Sequence, residues 1–105
     1  MLLEVIKSFA NRLTQKIFDG EPLTKKDRKT IGALKVEKAQ QSMLILNAST
    51  EKELLQFPSL RYHRLRGTSR FSIDTVRNSK WRITFAWEDE EMKDVELVKI
   101  EDAHA

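Results

Sequence analysis

From residue 78 to 87 the chain reads NSKWRITFAW, and apolar side chains fall on every second position: Trp81, Ile83, Phe85 and Trp87. Strict alternation predicts a strand with one buried face. RYHRLR (61–66), RFSIDTV (70–76) and DVELVKI (94–100) read as further strands, with RNSK and EDEEMK as polar turns between them. Before Pro58 the apolar spacing lengthens. LEVIKSF (3–9) reads as an opening strand by its β-branched content, and Ser8 suits a helix N-cap. Phe9, Leu13 and Ile17 recur every four residues, and Gly20 suits a left-handed helix end. A second helix is expected from Thr24, with Asp27 three residues on, through Ile31, Leu34, Met43 and Leu46 to about Asn47; Gly32 lies inside it. STEKELLQF (49–57) reads as one more helical turn, capped by Ser49 and closed before Pro58.

Strand, two helices and four strands predict an α+β domain spanning 1–105, with an antiparallel meander packed on a helical pair. The helices should cover the side holding Trp81, Ile83, Phe85 and Trp87. Parity then sends Arg82 to the other side with Thr84 and Ala86. Neighbouring strands can bring His63 or Arg66 beside it, and Arg64 as well. Arginines and a histidine on an uncovered sheet face suit an RNA phosphate. On that reading, removal of Arg82 should cost little stability. The alternative for Arg82 is a cross-strand ion pair with Asp74 or Glu96.

Charge sharpens the picture. The formal net charge is only +3, but it is unevenly placed. Arg61 to Arg82 holds seven Lys or Arg against one acid, a net of +6; Ile83 to Ala105 holds two lysines against eight acids, a net of −6. A concentrated basic block is the footprint of a phosphate-binding surface, or simply a solvated face that aids solubility. The chain has no cysteine and two histidines, which argues against disulfides and a structural zinc site and agrees with a reducing cytoplasm. No apolar run is long enough to span a bilayer.

VIKSF near the start, LNASTEKELLQFPSLRYHRLRG, FSIDTVRNSKWRITFAWED and a terminal EDAH together resemble the HigB toxins of the RelE-like superfamily. The resemblance covers nearly the whole chain. Its most specific parts are W-R-I-T-F and the H-x-L-[KR]-G element. It implies a cytoplasmic RelE-like toxin, paired with a helix-turn-helix (HigA-like) antitoxin, that enters the 70S ribosome and cuts mRNA. It implies no cofactor and no metal, because the ribose 2′-hydroxyl attacks the neighbouring phosphate directly. The positions matching the family's site are His63, Arg66, Arg82, Asp102 and His104. Such attack requires a base, an acid for the leaving oxygen, and cations for the growing charge. Histidine serves either proton role near neutral pH, and arginine grips phosphate with a planar fork. Asp102 could orient an imidazole or act as the base. Arg61, Arg64, Arg70 and Lys80, with Lys25, Lys26, Arg28 and Lys29 of the second helix, are the expected RNA and ribosome contacts. Two departures stand out: the family's terminal Asp-Tyr-His is Asp102-Ala103-His104 here, and its usual lysine is Arg66. A second alignment of the tail places Lys99, Ile100 and Glu101 opposite that triplet. An inactive RelE-fold module that binds antitoxin or ribosome without cutting is the alternative function.

Overall fold

The computed structural model describes residues 4–102 and shows an α+β chain of four α-helices, one 3-10 turn and a four-stranded antiparallel sheet. The helices are α1 (Arg12–Asp19), α2 (Lys25–Ile31), α3 (Val36–Asn47) and α4 (Glu51–Leu54); the 3-10 turn is Pro58–Leu60. The strands β1 (His63–Arg64), β2 (Phe71–Asp74), β3 (Trp81–Trp87) and β4 (Val95–Asp102) lie in the order β1-β2-β3-β4, a meander as the alternation predicts.

Several boundaries depart from the sequence pattern, each for a local reason. Among the described residues the opening segment makes two isolated parallel bridges, Ile6 with Val95 and Phe9 with Val98, and forms no named strand. The cause lies in β4: Leu97 has φ 54°, and the β3–β4 register slips between Thr84 and Ala86, so the ladder offered to the N-terminal segment is broken by a bulge. Ser8 is not a helix cap; its hydroxyl accepts the Leu97 N–H at 2.9 Å. Asn11 caps α1 instead, accepting the Thr14 N–H at 2.8 Å. Gly20, at φ 72°, ends that helix as expected, its N–H and that of Glu21 turning back to the carbonyls of Ile17 and Lys16.

The expected second helix is two helices. Gly32 sits at φ 52°, ψ −121°, a conformation that side chains with a Cβ rarely adopt, and it stops α2 before α3 begins at Val36. The capping box at the start of α2 forms as read: Thr24 and Asp27 exchange hydrogen bonds of 3.0 Å each. The helical turn near residue 50 is capped by Thr50, whose N–H and hydroxyl both donate to the Glu53 carboxylate, while the Ser49 hydroxyl donates back to the Ile45 carbonyl at 2.6 Å.

One apolar core lies between the helices and one sheet face. Ile17, Ala39, Met43, Leu46 and Leu54 meet Ile73, Ile83, Phe85, Val98 and Ile100 there. At the edge, Tyr62 stacks on Phe71 at 5.5 Å and on Phe85 at 6.3 Å, and Trp87 meets Phe85 edge-on at 5.6 Å. Rings of this size supply much of the buried area of a small domain. The Trp87 indole N–H donates to the Tyr62 hydroxyl (3.0 Å), which in turn donates to Glu51 (2.5 Å). Burial and the Glu51 carboxylate push the Tyr62 phenol above its ordinary range, so it keeps its proton. No helix among the described residues is long and apolar enough to cross a membrane.

Candidate active site on the polar sheet face

The register decides which side chains share the second face. Directly paired residues point the same way, and successive residues along a strand point opposite ways. His63 pairs with Ser72, and Ser72 with Thr84; Asp74 pairs with Arg82, and Arg82 with Glu101. These residues therefore form two rows on one face, away from Ile73, Ile83 and Phe85. From strand spacings the Cα atoms of His63 and Arg82 lie roughly 12 Å apart. Two long side chains on that span can approach one phosphodiester from either side.

His63 is exposed, and its Nδ1 lies 2.7 Å from the Arg61 carbonyl oxygen. A carbonyl only accepts, so Nδ1 carries the proton and Nε2 of the neutral ring keeps its lone pair. That is the tautomer a general base requires. The carbonyl is aimed by Arg61, whose φ of 48° is uncommon for a residue with a Cβ. Arg66 lies past the end of β1, in the exposed turn that Gly67 closes at φ 77°. Being outside the strand frees it from strand parity, which would otherwise set it opposite His63.

Arg82 is the largest departure from expectation. Its side chain is only 15% exposed. Nε lies 3.1 Å from Oδ1 of Asp74, and Nη1 donates to the carbonyls of Ser79 and, at 3.2 Å, of Trp81. Asp74 is 1% exposed, and Arg61 Nη1 stands 3.9 Å from its other oxygen. Neither carboxylate oxygen has an aligned hydrogen bond among the described residues. The expected alternative, an ion pair between Arg82 and Asp74, is therefore present. The face is also not open at its centre. Ser72 and Thr84 are buried, and the Arg70 guanidinium lies across the strands to reach the Thr84 hydroxyl at 2.9 Å and the Leu97 carbonyl at 2.7 Å. Glu101 accepts the Thr84 hydroxyl from the other side. Because Arg82 stands against a buried carboxylate, its removal is expected to cost more than the surface change that parity suggests.

The remaining sequence candidates are dispersed. Asp102 pairs with Trp81, which sets it on the side opposite Arg82; its carboxylate is 3.4 Å from Lys80 Nζ, and that ammonium is 5.5 Å from the Trp81 ring centroid. Arg64 has the parity of Phe71, and its Nε donates to the Thr68 carbonyl at 3.0 Å. Lys25, Lys26, Arg28 and Lys29 are exposed on α2, which buries Ile31 in the core on the helical side. His104 lies outside the described residues. Among those residues no cluster of three or more His, Asp or Glu is placed to hold a metal. Sequence reasoning set Thr84 beside Arg82 by parity and offered Asp74 as its ion-pair partner, but it passed over Glu101 as a member of this face, which the β3–β4 register supplies.

Beside the site, between α3, the 3-10 turn and the β2–β3 connection, is a cleft of about 770 Å³ lined in part by Lys38, Ser42, Ile45, Leu60, Arg61 and Arg77. Arg61 belongs to both the cleft and the polar face. In searches against protein-family models and against curated proteins, nothing matches this chain.

Proposed function

We propose that this chain is the toxin of a toxin–antitoxin pair of the HigB/RelE-like kind, a ribosome-dependent mRNA endoribonuclease held in check by a helix-turn-helix antitoxin. One observation carries the reading: His63, with Nδ1–H tied to the Arg61 carbonyl, shares a cationic face with Arg82. In this reading His63 Nε2 takes the proton of a ribose 2′-hydroxyl. The oxygen attacks the adjacent phosphorus, the 5′-oxygen leaves, and a 2′,3′-cyclic phosphate forms. Arg82 and Arg66 meet the charge that grows on the phosphate oxygens. The cationic cleft that shares Arg61 offers the RNA strand a continuation. Arg61 and Arg70 hold the sheet end positive, which favours a polyanion. The acid that protonates the leaving oxygen has no assignment among the described residues.

A second reading is a RelE-fold module that binds antitoxin or ribosome without cutting. Ala103 in place of the family's tyrosine favours it, and so does an Arg82 already engaged by Asp74. Cleavage of mRNA on programmed ribosomes separates the two, read by primer extension with and without ribosomes. The parent should cut only with ribosomes present. His63→Ala, a change at an exposed position, should melt within about 0.5 kcal/mol of the parent yet cut roughly 100- to 10,000-fold more slowly. A parent that never cuts leaves the binding module as the function. His63→Ala cutting at the parental rate removes the base assigned here.

A further inference from the structure

We infer that Asp74 is the positioning residue of this face: its buried carboxylate and the carbonyls of Ser79 and Trp81 hold Arg82 so that, among the described residues, Nη2 is the nitrogen left for a substrate phosphate. The inference rests on the functional reading above for its consequence, and on geometry alone for its cause. A guanidinium has three nitrogens. Nε stands 3.1 Å from the Asp74 carboxylate, a charge contact without an aligned N–H···O bond, and Nη1 is spent on the carbonyls of Ser79 and Trp81. The Nη1–Nη2 edge therefore has one prong occupied, and the Nε–Nη2 edge has the Asp74 charge beside it, which repels a phosphate there. Arg82 meets phosphate through one nitrogen in a fixed direction, and the fork that its residue type suggests is not on offer.

Asp74 suits that task for three reasons. It is the direct cross-strand partner of Arg82, so the two strands set their separation. It is 1% exposed, so water does not compete for its oxygens. Its backbone carbonyl accepts the buried Ser42 hydroxyl of α3 at 3.0 Å, which pins β2 to the helical layer at that residue. The second oxygen, 3.9 Å from Arg61, links the same carboxylate to the residue whose carbonyl sets the His63 tautomer. One buried acid thus reaches both halves of the site. A positioning role also explains why a site for an anion keeps a negative charge at its floor: the charge lowers the affinity of the face for phosphate but fixes the cation that must meet the transition state.

The test is Asp74→Asn, close in shape and without the charge. Arg82 should leave the Ser79 and Trp81 carbonyls in a crystal structure of the variant. On ribosomes kcat should fall about 10- to 100-fold while KM stays level or falls, because the face has lost a repelling charge but not its cations. In an Arg82→Lys background the same change should alter the rate by less than about twofold, since no guanidinium remains to be positioned. Asp74→Glu keeps the charge and serves if the Asn chain does not fold; it should cut more slowly than the parent and faster than Asp74→Asn where both can be measured. An unmoved Arg82, an unchanged kcat, or an equal loss in the Arg82→Lys background would each overturn the positioning role. So would the failure of both variants to fold, which would make Asp74 a folding residue only. A parent without cleavage would sink the nuclease reading, and the crystal structure would still decide whether Asp74 holds Arg82.

Discussion

The two faces of the sheet are made from alternating residues of the same strands, yet they are held by different forces. On one face Ile73, Ile83 and Phe85 are fully buried against Ala39, Met43 and Leu46. Apolar attraction has no direction, so many neighbours share the load and any one contact is replaceable by another of similar volume. On the other face Asp74, Arg82, Thr84, Arg70 and Glu101 are also largely removed from water, but each depends on one or two named partners. Loss of a partner there strands a charge or a hydroxyl. Burial alone therefore does not distinguish core from site in this chain; the kind of partner does.

The comparison can be broken first on the apolar face. Phe85→Ala should have the largest effect, about 3–5 kcal/mol, because the ring is buried and touches Tyr62, Phe71 and Trp87. A urea titration measures it. A loss near 1 kcal/mol would mean that the neighbouring rings close the gap.

On the polar face Arg82→Ala should cost about 3 kcal/mol, with a fall in Tm of roughly 10–20 °C. Parity alone predicts a surface effect of about 0.5 kcal/mol. The double variant Arg82→Ala with Asp74→Ala sharpens the point. It should be more stable than Arg82→Ala alone, because the uncompensated carboxylate goes with its partner. If the two losses simply add, the pair is not what holds this face.

The smallest effect belongs to a pair in the helical layer. Asp27 lies 2.7 Å from Lys16 Nζ, and that hydrogen bond, with the Thr24 N–H, holds its carboxyl down at about 2. A depressed carboxyl stabilises the fold above its ordinary value and loses that contribution as pH falls through the depressed one. The stability advantage of the parent over Asp27→Asn should thus be level near neutral pH and shrink between about pH 4 and pH 2. Parallel melting curves of the two chains across that range are the check; a constant gap would show that the Lys16 bond contributes nothing.

The helix-to-strand order, the meander, the Thr24–Asp27 box and the Gly20 helix end were all legible in the sequence, because each depends on residues a few positions apart. The break at Gly32 was half legible: a glycine in a helical pattern warns of a stop, but only the backbone angle shows that the chain takes it. His63 and Arg82 could be placed on one face by counting. Their surroundings could be read only in part: the sequence offered Asp74 or Glu96 as partner of Arg82 without deciding between them, Arg70 and Glu101 reach the site across strands, and the carbonyl that sets the His63 tautomer depends on the left-handed turn at Arg61.

By itself, then, the sequence determined which residues alternate and so which face of each strand turns to the core, because the pleat has a period of two whatever the strand pairs with. Only the tertiary structure decided the register that sets Asp74 against Arg82, the bulge at Leu97 that reduces the opening strand to two bridges, and the parity of Asp102 away from the site. Register is a relation between distant segments, settled when strands pair and the core closes, and nothing in one strand's own residues carries it.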